Sequence, residues 1–293
     1  MSATAELGLG TVQWGLPYGI ANAKGQTSRD EVRAILAEAR EHSISVLDTA
    51  SQYGEAESVL GRNVLDGFRI VTKTPSFGSS EISFEQVDEL LTTFRRSLSN
   101  LSCERVHGLL LHRVDDLFIR GGYKLLSAME ALRTQGLVSK IGVSVYDGRQ
   151  IDAVLKVFCP DIVQLPLSVL DQRLLRSGHL EMLKEKGVEV HVRSVFLQGL
   201  LLMPLSRLPT YFEPIRALVT RWHMAAAEQG MSLSQAALSY VRNLGCVDTV
   251  LVGVENAAQF RACFSDFSVH GIFDAGGLAC EDPAFVNPSR WKE

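Results

Sequence analysis

Three successive apolar runs in this chain each end in a different reactive side chain, and that pattern limits what the chain can fold into. Ser45 to Leu47 runs into Asp48, with Tyr53 and Gly54 just beyond it in VLDTASQYGEAESVL. Arg69-Ile-Val-Thr-Lys73 ends in a lysine, and Val106 to Leu111 ends in His112. Each run is short, rich in β-branched and aliphatic residues and followed by a helical pattern, so each reads as a strand. An acid, a phenol, an amine and an imidazole then stand at the C-terminal ends of consecutive strands. In a parallel α/β barrel those ends meet at one mouth, where active sites are built.

The rest of the chain repeats the alternation. Strands are expected at Leu7–Val12, Lys140–Val145, Ile162–Leu165, Glu189–Val195 and Thr249–Val252. Helices are expected at Arg29 onward, Glu55–Val64, Phe84–Leu101, Gly122–Thr134, Gly148–Phe158, Gly178–Lys186, Leu233–Asn243 and Ala257–Phe264. Ser28 with Glu31 fits a capping box for the first helix. A helical segment, Pro214–Gln229, is expected inside the long connection after strand seven. Eight strand–helix pairs in 293 residues fit a single-domain α/β fold, a (β/α)8 TIM barrel over residues 1–293, with an irregular C-terminal tail over 271–293.

These motifs resemble the aldo-keto reductase family, and its bacterial members most. The resemblance runs from Leu7 to about Phe267. It rests on LGLGT (Leu7–Thr11), LDTASQYG (Leu47–Gly54) with SVLG (Ser58–Gly61), Thr72-Lys73, LLLH (Leu109–His112), IGVS (Ile141–Ser144), Val163-Gln164 and Leu251–Gly253, in order at barrel spacing. It implies a nicotinamide-dependent oxidoreductase that reduces a small or sugar-derived carbonyl, with Tyr53 as proton donor, Lys73 lowering its pKa, Asp48 pairing the lysine and His112 orienting the carbonyl. Reduction puts negative charge on oxygen, so a donor beside it is required, and a nearby ammonium favours the phenolate. Singly, Asp48 reads more readily as a capping or surface acid and Lys73 as a solvated lysine. It is their placement together that carries the reading.

The same resemblance implies cofactor contacts at Gly10, Thr11, Asp48, Ser144, Gln164, Arg193, Ser194, Phe196, Gln198, Gly199, Gly253, Glu255 and Gln259. Ser144 and Gln164 match carboxamide contacts, while Val145 stands where the family often has Asn. Arg193 occupies the position of an aromatic residue that stacks on the nicotinamide. A planar guanidinium can stack too, or it can bind phosphate or substrate. Ser194 to Gly199 would cradle a pyrophosphate. After strand eight, Gly253, Glu255 and Gln259 replace the cations that hold a 2′-phosphate, which favours NAD(H) over NADP(H). Arg261 is the one nearby cation, and these polar residues also read as helix caps. Ala262 and Cys263 replace the adenine-contacting pair. Substrate contacts are expected from the loops and tail, including Trp14, Arg113, Phe118 and Trp291.

A net charge of −4 argues against nucleic acid as a main partner. No apolar stretch is long enough for a membrane span, and MSATAELGLG has no secretory pattern. The five cysteines contain no CxxC. Reduced thiols in a cytoplasmic protein are therefore expected. A metal-dependent hydrolase is disfavoured, because no HxH stands at a strand end. The alternative function is a dinucleotide-sensing regulatory protein on the same fold, as in potassium-channel β subunits or a bacterial cell-division regulator. A protein partner belongs to that alternative.

Overall fold

In the computed structural model, which describes residues 4–291, eight parallel strands close into a barrel in sequence order. The strands are β1 Glu6–Gly10, β2 Val46–Asp48, β3 Arg69–Lys73, β4 Val106–Leu111, β5 Val138–Ser144, β6 Ile162–Pro166, β7 Glu189–Arg193 and β8 Thr249–Gly253. Closure comes from β1 pairing with β8 in register, Glu6 opposite Thr249 and Gly10 opposite Gly253. The outer ring includes α1 Arg29–Glu41, α2 Ala56–Leu60, α3 Phe84–Asn100, α4 Tyr123–Thr134, α5 Gly148–Leu155, α6 His179–Glu185, α7 Arg216–Glu228, α8 Leu233–Arg242 and α9 Ala257–Ser268.

The helices pack as their periodicity requires. Val32, Ile35, Leu36 and Ala39 of α1 are all buried, as are Leu90 and Phe94 of α3. Ser83 and Gln86 form a full capping box at the start of α3. Inside the barrel, Val71, Leu110 and Ile162 form a separate apolar plug. Gly108 sits beside it, where an added Cβ would lie 3.0 Å from Ile162. The interior is therefore packed, and function is confined to its ends.

Several expected boundaries shift: strand five runs Val138–Ser144, strand seven ends at Arg193 rather than Val195, and α9 continues to Ser268. Strand one stops at Gly10 rather than Val12, because Val12–Gly15 forms a helical turn. That turn drives Trp14 into the core with no exposed surface, and its indole N–H donates to the Val254 carbonyl at 3.2 Å. Helix two is shorter than expected, and helix five ends at Leu155 rather than Phe158. The connection after β7 is broken into 3-10 turns at Leu197–Leu202, Leu205–Arg207 and Thr210–Ile215 before α7.

The tail contains a short helix, Pro283–Val286, and a 3-10 turn, Pro288–Arg290. It is tied to the body by Cys280 N–H to the Leu170 carbonyl at 2.8 Å and by the Tyr211 hydroxyl to the Ala284 carbonyl at 2.8 Å. Residues 292–293 of the expected tail lie outside the described residues. All five cysteines are free thiols. Among the described residues no helix is long and apolar enough to cross a membrane, and no cluster could hold a metal ion.

Candidate active site

At the C-terminal mouth the strand ends bring four of the expected residues into contact. Lys73 at the end of β3 is buried. Its Nζ donates to both Asp48 carboxylate oxygens, each at 2.7 Å, and to the Thr49 carbonyl at 3.0 Å. The same ammonium lies 5.0 Å from the centre of the Tyr53 ring. His112 meets Tyr53 edge to face, with ring centres 5.7 Å apart and planes at 82°. Gln164, from β6 across the barrel, donates its amide to Asp48 Oδ1 at 2.6 Å.

Two glycines place Tyr53. A Cβ on Gly15 would stand 1.8 Å from the Tyr53 carbonyl oxygen, so the turn after β1 lies directly against the loop after β2. Gly54 has φ +56, and a Cβ there would meet the Gly15 oxygen at 2.4 Å. Only glycine permits that approach with that backbone. The YG of the LDTASQYG motif is thus a packing requirement as well as a chemical one.

Burial and charge set the protonation states. Burial opposes the charge on Lys73, but Asp48 and Tyr53 outweigh it and hold the ammonium above its ordinary pKa. Tyr53 is raised by burial; Lys73 and Arg193 pull it down without overcoming that effect. The expected lowering by Lys73 is therefore present but not dominant, and the phenol is held protonated. His112 is depressed to about 3, by burial first and then by Lys73 and Arg193. Its imidazole is neutral near pH 7, and its buried Nδ1 has no partner among the described residues.

The expected cofactor residues fall into three groups. Gly10 lies opposite both Asp48 and Gly253, and Thr11 N–H donates to the Asp48 carbonyl at 2.9 Å, so the ends of β1, β2 and β8 form one edge of the mouth. Ser144 is buried opposite Gln164. Along the loop after β7, Ser194, Leu197, Gln198 and Gly199 all have positive φ. That loop lies against the loop after β1: Gln198 accepts from Ala21 N–H at 3.3 Å and its amide donates to the Tyr18 hydroxyl at 3.1 Å. Phe196 packs against the core.

Arg193 lies with its guanidinium 4.3 Å from the centre of the Tyr146 ring and donates to the Val145 carbonyl at 3.0 Å. After β8, Asn256 caps α9, accepting from Gln259 N–H at 2.9 Å. The Gln259 side chain turns back to accept from Glu255 N–H at 2.8 Å. Arg261 pairs with Glu38 of α1. Glu31, expected to complete the Ser28 capping box, instead accepts from Ala257 N–H at 3.1 Å, so its carboxylate caps α9. Ser28 supplies only its own half, accepting from Glu31 N–H at 3.3 Å.

Tyr18, Tyr146, the Glu31 contact with Ala257 and the Gln164–Asp48 bond were not among the sequence expectations. Only Tyr146 had a local signal, as an aromatic directly after a strand end.

A dinucleotide fits this mouth by its unsatisfied groups. Thr11 Oγ1 and Gln13 Oε1 are buried without partners among the described residues, and Gln13 lies over Gly253, where a Cβ would meet it at 2.2 Å. Ser144 has no side-chain partner either, among the described residues. Orphaned oxygens in a cleft are the groups a polar ligand would complete.

A barrel with a lysine–carboxylate pair, a protonated tyrosine and a neutral histidine at its mouth defines a class of oxidoreductase folds. The chain belongs to the aldo/keto reductase family, whose model matches residues 6–270. It is 25% identical to D-arabinose 1-dehydrogenase of Saccharomyces cerevisiae over 178 residues, 50% of this chain and 51% of that protein. The match thus spans about half the length of that relative. Its fold is like that of an aldo-keto reductase from Bacillus halodurans in holo form (TM-score 0.73, 20% identity, 92% of this chain and 88% of the other). It is also like glycerol dehydrogenase from Gluconobacter oxydans (TM-score 0.70, 19% identity, 97% and 93%).

Proposed function

We propose that this protein is a nicotinamide-dependent oxidoreductase that reduces a small or sugar-derived carbonyl to an alcohol, with NAD(H) as its cofactor. The observation that carries the reading is the position of the Lys73 ammonium. It is clamped by both oxygens of Asp48 and stands 5.0 Å from the Tyr53 ring, with His112 on that ring's other contact.

A bound dinucleotide would supply the hydride. Tyr53, protonated at neutral pH, gives its proton to the carbonyl oxygen as charge develops there. Lys73 stabilises the phenolate left behind, and Asp48 fixes Lys73. Neutral His112 orients the carbonyl and donates to the developing oxyanion without adding a second cation. Ser144 and Gln164 would hold the nicotinamide carboxamide, with Asp48 and the β1 edge, Gly10 and Thr11, beside them. The positive-φ loop Ser194–Gly199 offers backbone amides to the pyrophosphate, and Gly253, Glu255 and Gln259 border the adenosine end.

NAD(H) is favoured by what surrounds the start of α9. Glu31 already accepts its first N–H, Glu255 adds a second carboxylate, and Arg261 is paired with Glu38. A 2′-phosphate there would meet like charge, whereas a ribose diol can donate to either acid. The relatives' names, an arabinose and a glycerol dehydrogenase, accord with polyol- or sugar-derived substrates. Free thiols throughout accord with a cytoplasmic location.

Fluorescence titration with NADH and NADPH, followed by turnover against aldehydes, ketones and keto-sugars, tests the reading. Tighter binding of NADPH would remove the cofactor assignment. The absence of any reduction would remove the activity.

A further inference from the structure

Arg193 ends β7 on the mouth side of the barrel, half-buried, and it has no ion-pair partner among the described residues. The acid within its electrostatic reach is already paired. Asp171 is held by Arg173 through bonds of 2.7 and 2.8 Å. Asp48, the other acid of the mouth, is held by Lys73 and Gln164. The other groups on which its charge acts are neutral rings: Tyr18, Tyr53 and His112. The mouth therefore holds a balanced Lys73–Asp48 pair and one unbalanced cation.

That cation is also held in place. Tyr146 lies 4.3 Å from the guanidinium carbon, and the Val145 carbonyl takes one N–H at 3.0 Å. Ser194 Oγ lies at 3.5 Å, leaving the remaining N–H groups without a strong protein acceptor. A guanidinium fixed on an aromatic face with free donors is a preorganised carboxylate or phosphate clamp. Tyr146 covers one face of the guanidinium, which leaves its edge donors and its second face open to the mouth.

We propose that Arg193 is a specificity-determining residue that selects carbonyl substrates carrying a carboxylate, such as aldehyde acids, keto acids and open-chain uronic acids. The proposal rests on the reductase reading above. The carboxylate takes no part in bond changes: hydride goes to the carbonyl carbon and the proton comes from Tyr53, as for a neutral substrate. The cofactor's pyrophosphate is the competing anion, but Arg193 is anchored at the strand ends, on the Val145 carbonyl after β5 and the Tyr146 ring, and its charge acts on Tyr53 and His112.

The test compares matched pairs: 4-oxobutanoate with 4-oxobutanamide, and D-glucuronate with D-glucose. For the wild type, kcat/KM should favour the acid of each pair by about 10–100-fold, the scale of a charge-assisted hydrogen bond. Arg193→Gln should bring that ratio close to one, and Arg193→Lys should restore part of it. A wild-type ratio near one overturns the proposal. So does a ratio that survives Arg193→Gln while dinucleotide affinity falls tenfold, because the guanidinium would then serve the cofactor. A binding arm needs no turnover: calorimetry of 4-hydroxybutanoate on protein loaded with NAD. Retained, Arg193-dependent binding there would support the anion clamp even if the reductase reading failed. Equal binding by wild type and Arg193→Gln would overturn it.

Discussion

The side-chain amide of Gln164 donates to Asp48 Oδ1 at 2.6 Å, joining two strands that stand well apart around the barrel. Asp48 is thereby fixed from two sides, by Lys73 and by Gln164. A buried carboxylate between a cation and an amide is held in one geometry, and the lysine with it. That rigidity is what keeps the ammonium at a constant position beside Tyr53.

Removing the acid should cost more than removing the amide. Asp48→Leu leaves the buried Lys73 ammonium without its counter-charge, which is expected to destabilise the fold by about 3–5 kcal/mol. Gln164→Leu removes one hydrogen bond to a charged group and is expected to cost about 1.5–3 kcal/mol. Urea denaturation of both variants checks the order. A larger loss for Gln164→Leu would show that Lys73 does not depend on Asp48.

His112 gives stability a pH dependence with a definite sign. Its folded pKa, about 3, lies below the unfolded value near 6.5. Between these values the unfolded chain takes up a proton that the fold refuses. This contribution is therefore complete above about pH 6.5 and falls by about 1.4 kcal/mol per pH unit on acidification toward 3. His112→Gln should flatten the slope of unfolding free energy between about pH 4 and 6 by close to one proton. An unchanged slope would mean that His112 is solvated and ordinary. The same depression leaves activity without a His112 titration step between about pH 5 and 8.

The proposed cofactor preference rests on two carboxylates, Glu255 and Glu31, and only Glu255 carries a local signal for it. Wild type is expected to bind NADH about 5- to 150-fold more tightly than NADPH, the equivalent of about 1–3 kcal/mol of lost contacts and added repulsion. Glu255→Arg should narrow or invert the ratio. Glu31→Gln should narrow it while lowering stability slightly, since its oxygen can still accept from Ala257. An unchanged ratio in both variants would place the 2′-position away from α9.

The frame of the site was legible because strand ends and parity are local. Asp48, Lys73 and His112 each end an apolar run, and a parallel barrel gathers such ends. What the runs could not show were bonds between distant segments that compete for the same side chains. Glu31 looked like the partner of Ser28, three residues away, yet its carboxylate crosses to Ala257. Gln259 reads from the sequence either as a cofactor contact or as a helix cap, and only the fold shows its oxygen taking the Glu255 N–H. Arg193 stands where an aromatic residue is expected, and no local pattern shows that Tyr146, from the loop after β5, lies against its guanidinium. Strand one ended early because burying Trp14 outweighed extending a strand by two residues.

The most direct measurement is reduction of carbonyls by NADH with wild type and Tyr53→Phe, together with NADH affinity for both. The phenylalanine keeps the ring against His112 and Lys73 and removes only the proton donor. The expected result is a fall in kcat of about 10²–10⁴-fold with NADH affinity nearly unchanged. Full activity in Tyr53→Phe, or tight dinucleotide binding by a wild type that reduces no carbonyl at all, would contradict it.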